Sequence, residues 1–490
     1  MYLGNVPIKQ STTVSQSIVG NFTSPNKTDL IIVKGISRLE LIHIERSISP
    51  SFSSSAAPLK FNTLISLETF SHIHKILPIK DNYTKKDNIV VLSDSGRLII
   101  FEVDINEKKF IRITQEIYGK SGCRRLTPGE YLAIDNKSRA IMIGGIEKEK
   151  FVYIFKEIDN NLVPNAIFEE NKNINLNSNN SNSININRKI ISSPLEVFTA
   201  QHICYDIIAL DVGYTNPIFV SLEVKYNNMQ DWISNNYELN EENEYQKKIL
   251  LYQVEIKNNY IIRLFQHPID NSAYSLFPIN YEKKSNISQS KSLQGTFLIF
   301  CKGFFYLIKI KENKINKEEK YYFEKNNNEN NNNEINNKNN SIIIINTAVY
   351  FSQDDKDEFN MICQSQFGNI YHILFRINQK PFDIYGIFIN LTFRCSPGST
   401  MSIIDNYLYL GKETSDSEIY LIIENKIINK DEKQSENHKI QLKKEININS
   451  LNSLIDFKYG NYDTSGLQKF FALTGNKDES YLKSLNIKTI

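Results

Sequence analysis

The sequence predicts an all-β protein, a seven-bladed β-propeller followed by the first strands of a second propeller. Three observations carry that prediction. A strand, turn, strand signature recurs eight times along the 490 residues, at spacings of roughly fifty to eighty. No helical period of apolar residues appears between the units, which disfavours parallel βαβ layouts. Two Asn-rich tracts interrupt the pattern without contributing apolar runs of their own.

The clearest stretch is 119–156, where three apolar runs (131–134, 140–143 and 151–155) follow a charged loop and a turn through Thr127, Pro128 and Gly129. The runs are strand-length and rich in β-formers, and Pro and Gly set turn dihedrals between such strands. In chain order, the first unit pairs 30–33 with 39–44 across Lys34 and Gly35. The second pairs 88–92 with 98–101, and Gly96 supplies the positive φ of a tight hairpin. The third pairs the last two runs of the 119–156 stretch. The fourth pairs 217–224 with 249–254 across a polar excursion holding the only tryptophan, Trp232. Units five to seven pair 296–300 with 304–310, 359–363 with 370–375, and 406–410 with 419–423. An eighth, 470–473 with 481–487, lies beyond the charged run 429–445.

Closing such units radially leaves few exposed strand edges. A pair of β-sandwiches would show shorter, more even strand spacing. The domain expectation is a propeller over 1–440 and the opening blade of a second, incomplete propeller over 446–490, with the charged run as boundary. The tracts near 160–188 and 324–340 read as disordered insertions, because they cannot bury enough apolar surface to offset their ordering entropy.

With 57 basic and 55 acidic residues, the net charge of +2 lacks the excess of a protein whose main affinity is for phosphate backbone. The five cysteines are scattered, with no C-x-x-C pair, which fits a reducing compartment and argues against a zinc site. No signal-peptide pattern opens the chain, and no apolar run approaches the ~18 residues of a membrane span.

Catalytic motifs are not found. Gly119, Lys120 and Ser121 resemble the end of a phosphate-binding loop, but the position five residues before Gly119 is Thr114 and no helical pattern follows. His72 and His74 sit at strand spacing, yet two ligands are too few for a metal, and a solvated or packed pair is the better reading. Acidic clusters such as Asp354 with Asp355 read as solvated loops. Lys120, Arg124 and Arg125 form either a partner-binding patch, since arginine grips carboxylates bidentately, or ion pairs between neighbouring blades. Cys123 beside them reads as a small buried residue at a turn.

The run from Tyr118 through Gly119, Lys120, Ser121, Gly122, Cys123, Arg124 and Arg125, continuing with Pro128, Gly129, Asp135, Arg139 and Glu147, resembles the amino-terminal propeller of the splicing factor 3B subunit 3 family. Collinear matches at 93–97, 191–196 and 211–217 extend the resemblance over 1 to about 225. It implies a non-enzymatic nuclear scaffold in pre-mRNA splicing, within the splicing factor 3b complex of the U2 small nuclear ribonucleoprotein that recognises the branch site. Its implied partners are a HEAT-repeat subunit and a small companion subunit, with RNA reached only through the complex. No cofactor, membrane or small-molecule substrate is implied. Lys120, Arg124, Arg125 and Glu147 are the candidate partner-binding residues. The family's chains carry three propellers, so this sequence corresponds to the first and the opening of the second. The alternative within the superfamily is an adaptor of a cullin ubiquitin ligase or a 3′-end cleavage and polyadenylation factor. A propeller enzyme would need convergent acidic or metal-binding residues that the sequence does not display.

Overall fold

The computed structural model describes residues 12–46, 59–81, 84–117, 129–145, 147–156, 190–210, 214–225, 246–279, 282–283, 291–312, 314–323, 343–352, 358–379, 382–426, 438–450, 454–461, 468–476 and 479–486. Every regular element among them is a strand.

Blade 1 consists of β1 (Val14–Ser24), β2 (Lys27–Lys34), β3 (Arg38–Arg46) and β4 (Leu59–Glu68), paired antiparallel in chain order. Blade 2 repeats this with β5 (Ile73–Lys80), β6 (Asp87–Ser93), β7 (Arg97–Asp104) and β8 (Lys109–Ile117). Blade 3 has β9 (Gly129–Ile134), β10 (Ala140–Gly145) and β11 (Glu147–Lys156), which also pairs with the short β12 (Ile190–Ile191). The long β13 (Leu195–Ala209) serves two blades. Its residues 195–198 pair with β11 and 202–209 with β14 (Ile218–Lys225), and it bends between them at Gln201, whose φ is 58°. Blade 4 is completed by β15 (Lys247–Glu255) and β16 (Tyr260–Pro268).

Blade 5 comprises β17 (Ser275–Pro278), a small hairpin β18 (Glu282–Lys283) and β19 (Lys291–Ser292), then β20 (Thr296–Cys301), β21 (Phe304–Lys311) and β22 (Lys314–Tyr322). Blade 6 is β23 (Ile345–Ser352), β24 (Glu358–Ser365), β25 (Asn369–Gln379) and β26 (Phe382–Arg394). Blade 7 is β27 (Thr400–Ile404), β28 (Tyr407–Gly411), β29 (Ser417–Lys426) and β30 (His438–Ile448). A three-stranded sheet of β31 (Leu454–Asn461), β32 (Gln468–Asn476) and β33 (Glu479–Asn486) follows.

The seven-bladed propeller read from the sequence is what the chain forms. Burial explains the order of strands within a blade. Second strands such as β10 and β20 are buried at every position, so they carry continuous apolar runs. Outermost strands alternate: β22 reads exposed, half-buried, exposed along its length, because one of its faces meets solvent. The seventh blade ends at Ile448, beyond the boundary near residue 440 that the charged run suggests. Residues 438–445 of that run form most of β30, an outermost strand that tolerates lysines on its solvent side. The Asn-rich tracts near 160–188 and 324–340 lie outside the described residues.

Seven apolar clusters hold the ring, one at each seam between neighbouring blades. The closing seam joins Val14, Leu30 and Ile32 of blade 1 to Ile404, Tyr409 and Ile419 of blade 7. Polar bonds accompany it: Ser17 Oγ lies 2.8 Å from Thr400 Oγ1 and 2.7 Å from Ser402 Oγ. Non-directional apolar burial supplies most of the closure, and the paired hydroxyls fix the register.

Candidate interaction surface

Strand alternation places all connections from an outermost strand to the next blade's innermost strand at one end of the ring. The turns between second and third strands lie at that same end, here termed the upper face. A buried or half-buried polar side chain ties this face together at several seams. Gln16 on β1 donates to the carbonyls of Ile73 (3.4 Å) and His74 (2.8 Å) and accepts from the Ile76 amide at 3.0 Å. Asp206 on β13 accepts from Ser275 Oγ and the Leu276 amide, both at 2.8 Å. Burial pushes its carboxyl above the usual range, and these bonds oppose the rise. Gln364 donates to the Ser396 carbonyl at 3.0 Å and accepts from the Gly398 amide at 2.7 Å.

Below the turn after β28, Lys412 is fully buried and paired with Glu418, which also takes hydrogen bonds from Tyr420 (2.7 Å) and Lys444. Burial opposes ionisation of Glu418, but Lys412, Lys444 and Tyr420 together hold the carboxyl below its ordinary range.

On this braced face stand exposed apolar side chains. Phe70, in the link from β4 to β5, is 91% exposed and has φ 55°, a region that aromatic residues rarely occupy. Its loop is pinned: the Thr69 amide and hydroxyl donate to the Ser37 carbonyl at 2.9 and 2.7 Å, and the Ile73 amide donates to the Ile36 carbonyl at 2.8 Å. Ile36 on that neighbouring turn is 61% exposed, and Phe367, in the β24 to β25 turn, is also exposed. A strained, braced loop that holds an aromatic ring in water has the character of an interface anchor.

Of the residues predicted from sequence, Lys120, Arg124 and Arg125 fall in the segment joining β8 to β9 and lie outside the described residues, as does Cys123. Glu147 opens β11 on the upper face, its backbone opposite Ile203. His72 and His74 stack with ring centroids 4.9 Å apart, and His74 Nδ1 lies 3.2 Å from Glu130. Among the described residues no group of three or more His, Cys, Asp or Glu is placed to hold a metal ion. Burial raises the Cys204 and Cys363 thiols and pushes Cys301 up to about 12, so these are packing residues and not nucleophiles. Sequence reasoning missed Phe70 and Ile36. A lone aromatic between Thr69 and Ser71, outside any strand pattern, was the available signal.

A closed seven-bladed ring of antiparallel blades, with exposed aromatic and aliphatic side chains on its braced upper face, defines a β-propeller. The particular family follows from comparison. The profile described as RSE1/DDB1/CPSF1 first beta-propeller matches residues 13–448, and the chain belongs to that family. It is 31% identical over 279 residues to spliceosome-associated protein 130 A of Arabidopsis thaliana, covering 57% of this chain and 20% of that protein. It is 31% identical over 280 residues to pre-mRNA-splicing factor prp12 of Schizosaccharomyces pombe, with the same coverage. Over 226 residues it is 35% identical to probable splicing factor 3B subunit 3 of Dictyostelium discoideum, covering 46% of this chain and 15% of that protein. The matched stretches thus span about a fifth or less of these relatives' length. The likeness to the amino-terminal part of splicing factor 3B subunit 3, read first from residues 118–147, is borne out.

Proposed function

We propose that this chain is the first propeller of a nuclear, non-enzymatic scaffold acting in pre-mRNA splicing, as a splicing factor 3b subunit within the U2 small nuclear ribonucleoprotein. The observation that carries the reading is family membership over 13–448 together with relatives named as splicing factors. In this reading β31–β33 are the opening blade of a second propeller. The partners are the HEAT-repeat subunit and the small companion subunit, and RNA is reached through them. Mechanistically, a ring stiffened at seven seams keeps upper-face loops at fixed positions, so little entropy is lost when a partner docks. Phe70 and Ile36 supply desolvation, and Lys120, Arg124, Arg125 and Glu147 supply charge pairing.

The test is affinity purification of the tagged protein from nuclear extract with mass spectrometry of its partners. Splicing factor 3b subunits are the expected result. A cullin assembly or a cleavage and polyadenylation complex in their place overturns the splicing assignment in favour of another branch of the family.

A further inference from the structure

At the upper end of blade 5, four side chains from two paired strands meet on one sheet face. Phe304 lies opposite Tyr322, and Tyr306 lies opposite Lys320. The Lys320 ammonium sits 3.7 Å from the Phe304 ring centroid, 5.1 Å from that of Tyr322 and 5.8 Å from that of Tyr306. The Phe304 and Tyr306 rings are perpendicular, at 88° and 5.4 Å, while Phe304 and Tyr322 are 5.6 Å apart at 49°. Phe304 is a buried floor, and Tyr322, 57% exposed, is a wall standing in solvent. Asp270, in the link from β16 to β17, adds a favourable electrostatic contribution to the Lys320 ammonium. Burial opposes ionisation of Asp270, but the Ser272 hydroxyl and amide together with Lys320 and Lys247 hold the carboxyl below its ordinary range, so it is an anion at neutral pH.

Three rings around one ammonium form a trap for an organic cation, because ring quadrupoles attract positive charge. Lys320 is its present occupant, and it comes from an exposed position on the outermost strand β22. A free lysine or arginine entering from a partner must compete with a tethered ammonium at high effective concentration. An ammonium carrying methyl groups is less strongly hydrated and gives up less on leaving water, so it displaces the resident where an unmodified lysine does not. We propose that Phe304, Tyr306 and Tyr322 form a recognition site for a methylated lysine of a partner polypeptide, gated by Lys320. The site goes beyond the scaffold role and does not depend on which branch of the family the chain serves.

The test is calorimetric titration of the full chain with an alanine-flanked pentapeptide carrying central trimethyl-lysine, and with its unmethylated copy. Saturable binding of the methylated peptide alone is expected. Lys320→Gln, which vacates the trap, should tighten binding by about tenfold, and Tyr322→Ala should weaken it by about tenfold. Because Tyr322 is exposed, Tyr322→Ala should unfold at the parental urea midpoint, which separates loss of the wall from loss of the fold. Equal binding of both peptides, no gain in Lys320→Gln, or undiminished binding by Tyr322→Ala overturns the proposal, as does absence of saturable binding to Lys320→Gln.

Discussion

Glu223 and Lys150 offer the sharpest test of how the blades are joined. Both side chains are essentially inaccessible, their charged atoms are 2.7 Å apart, and they lie between blades 3 and 4 beside the bend in β13. Glu223 Oε1 also accepts from Ser221 Oγ at 2.5 Å and from the Tyr252 hydroxyl at 3.3 Å, while Oε2 makes no hydrogen bond among the described residues. Lys150 sits 5.5 Å from the Tyr252 ring centroid. Glu223→Ala removes the carboxylate paired with the buried Lys150 ammonium, and such breakage costs about 3–5 kcal/mol. Replacing both by apolar residues, as in Lys150→Met with Glu223→Leu, removes both desolvation penalties and should cost under ~2 kcal/mol. Urea unfolding of parent, singles and double gives the coupling as a mutant cycle. Burial works against the Lys150 ammonium, Glu223 with Tyr252 and Cys204 more than offsets it, and its pKa is raised. A raised lysine pKa makes the contribution complete below the unfolded value of about 10.4 and lost as pH rises through the higher folded value, so the cycle should read the same at pH 6 and 8. A Glu223→Ala cost under ~1 kcal/mol, or a double variant as costly as the summed singles, would refute the reasoning.

Gln16→Ala strips three bonds from the seam between blades 1 and 2 and should cost about 1–3 kcal/mol by urea unfolding. Gly368 has φ 82°, and a Cβ there would meet the Cys395 carbonyl oxygen at 1.7 Å, so Gly368→Ala should cost at least ~2 kcal/mol in the same assay. The lowered Glu418 carboxyl contributes stability that is present above its unfolded pKa of about 4.3 and lost as pH falls through the folded value. Glu418→Gln should therefore flatten the acid limb of a stability-against-pH curve, and an unchanged acid limb contradicts the assignment. Phe70→Ser should leave stability within ~0.5 kcal/mol yet lower recovery of partners in purification from nuclear extract.

How much of this was legible in the sequence follows from burial within a blade. The hairpins seen at 30–44, 88–101, 140–155, 217–254, 296–310, 359–375 and 406–423 correspond to the second and third strands of their blades, β2 with β3 through β28 with β29. Those strands pack against both neighbouring blades and are largely apolar, most fully in second strands such as β10 and β20. First and fourth strands are quieter in sequence. The residues of β22, with Lys314, Lys317, Glu318 and Lys320, look like a solvated loop, and most of β30 lies in the charged run that reads as the domain boundary. Only pairing with an already buried neighbour makes them strands, and that information is not local.

The candidate surface was legible in a different measure, for the same reason. Charge singled out Lys120, Arg124 and Arg125, which lie outside the described residues, whereas Phe70 and the rings around Lys320 depend on which segments the ring brings to one end. Phe304 and Tyr306 read as ordinary core-strand residues, and Tyr322 as the end of a polar stretch. Their chemistry as a group appears only when β21 and β22 pair with Phe304 opposite Tyr322. In a ring held by seven apolar seams and a few polar braces, the exposed side chains of the upper face carry little of the fold. A substitution at Phe70 or Tyr322 can therefore change recognition while leaving stability alone, whereas one at Gln16, Glu223 or Gly368 changes stability first and recognition only through it.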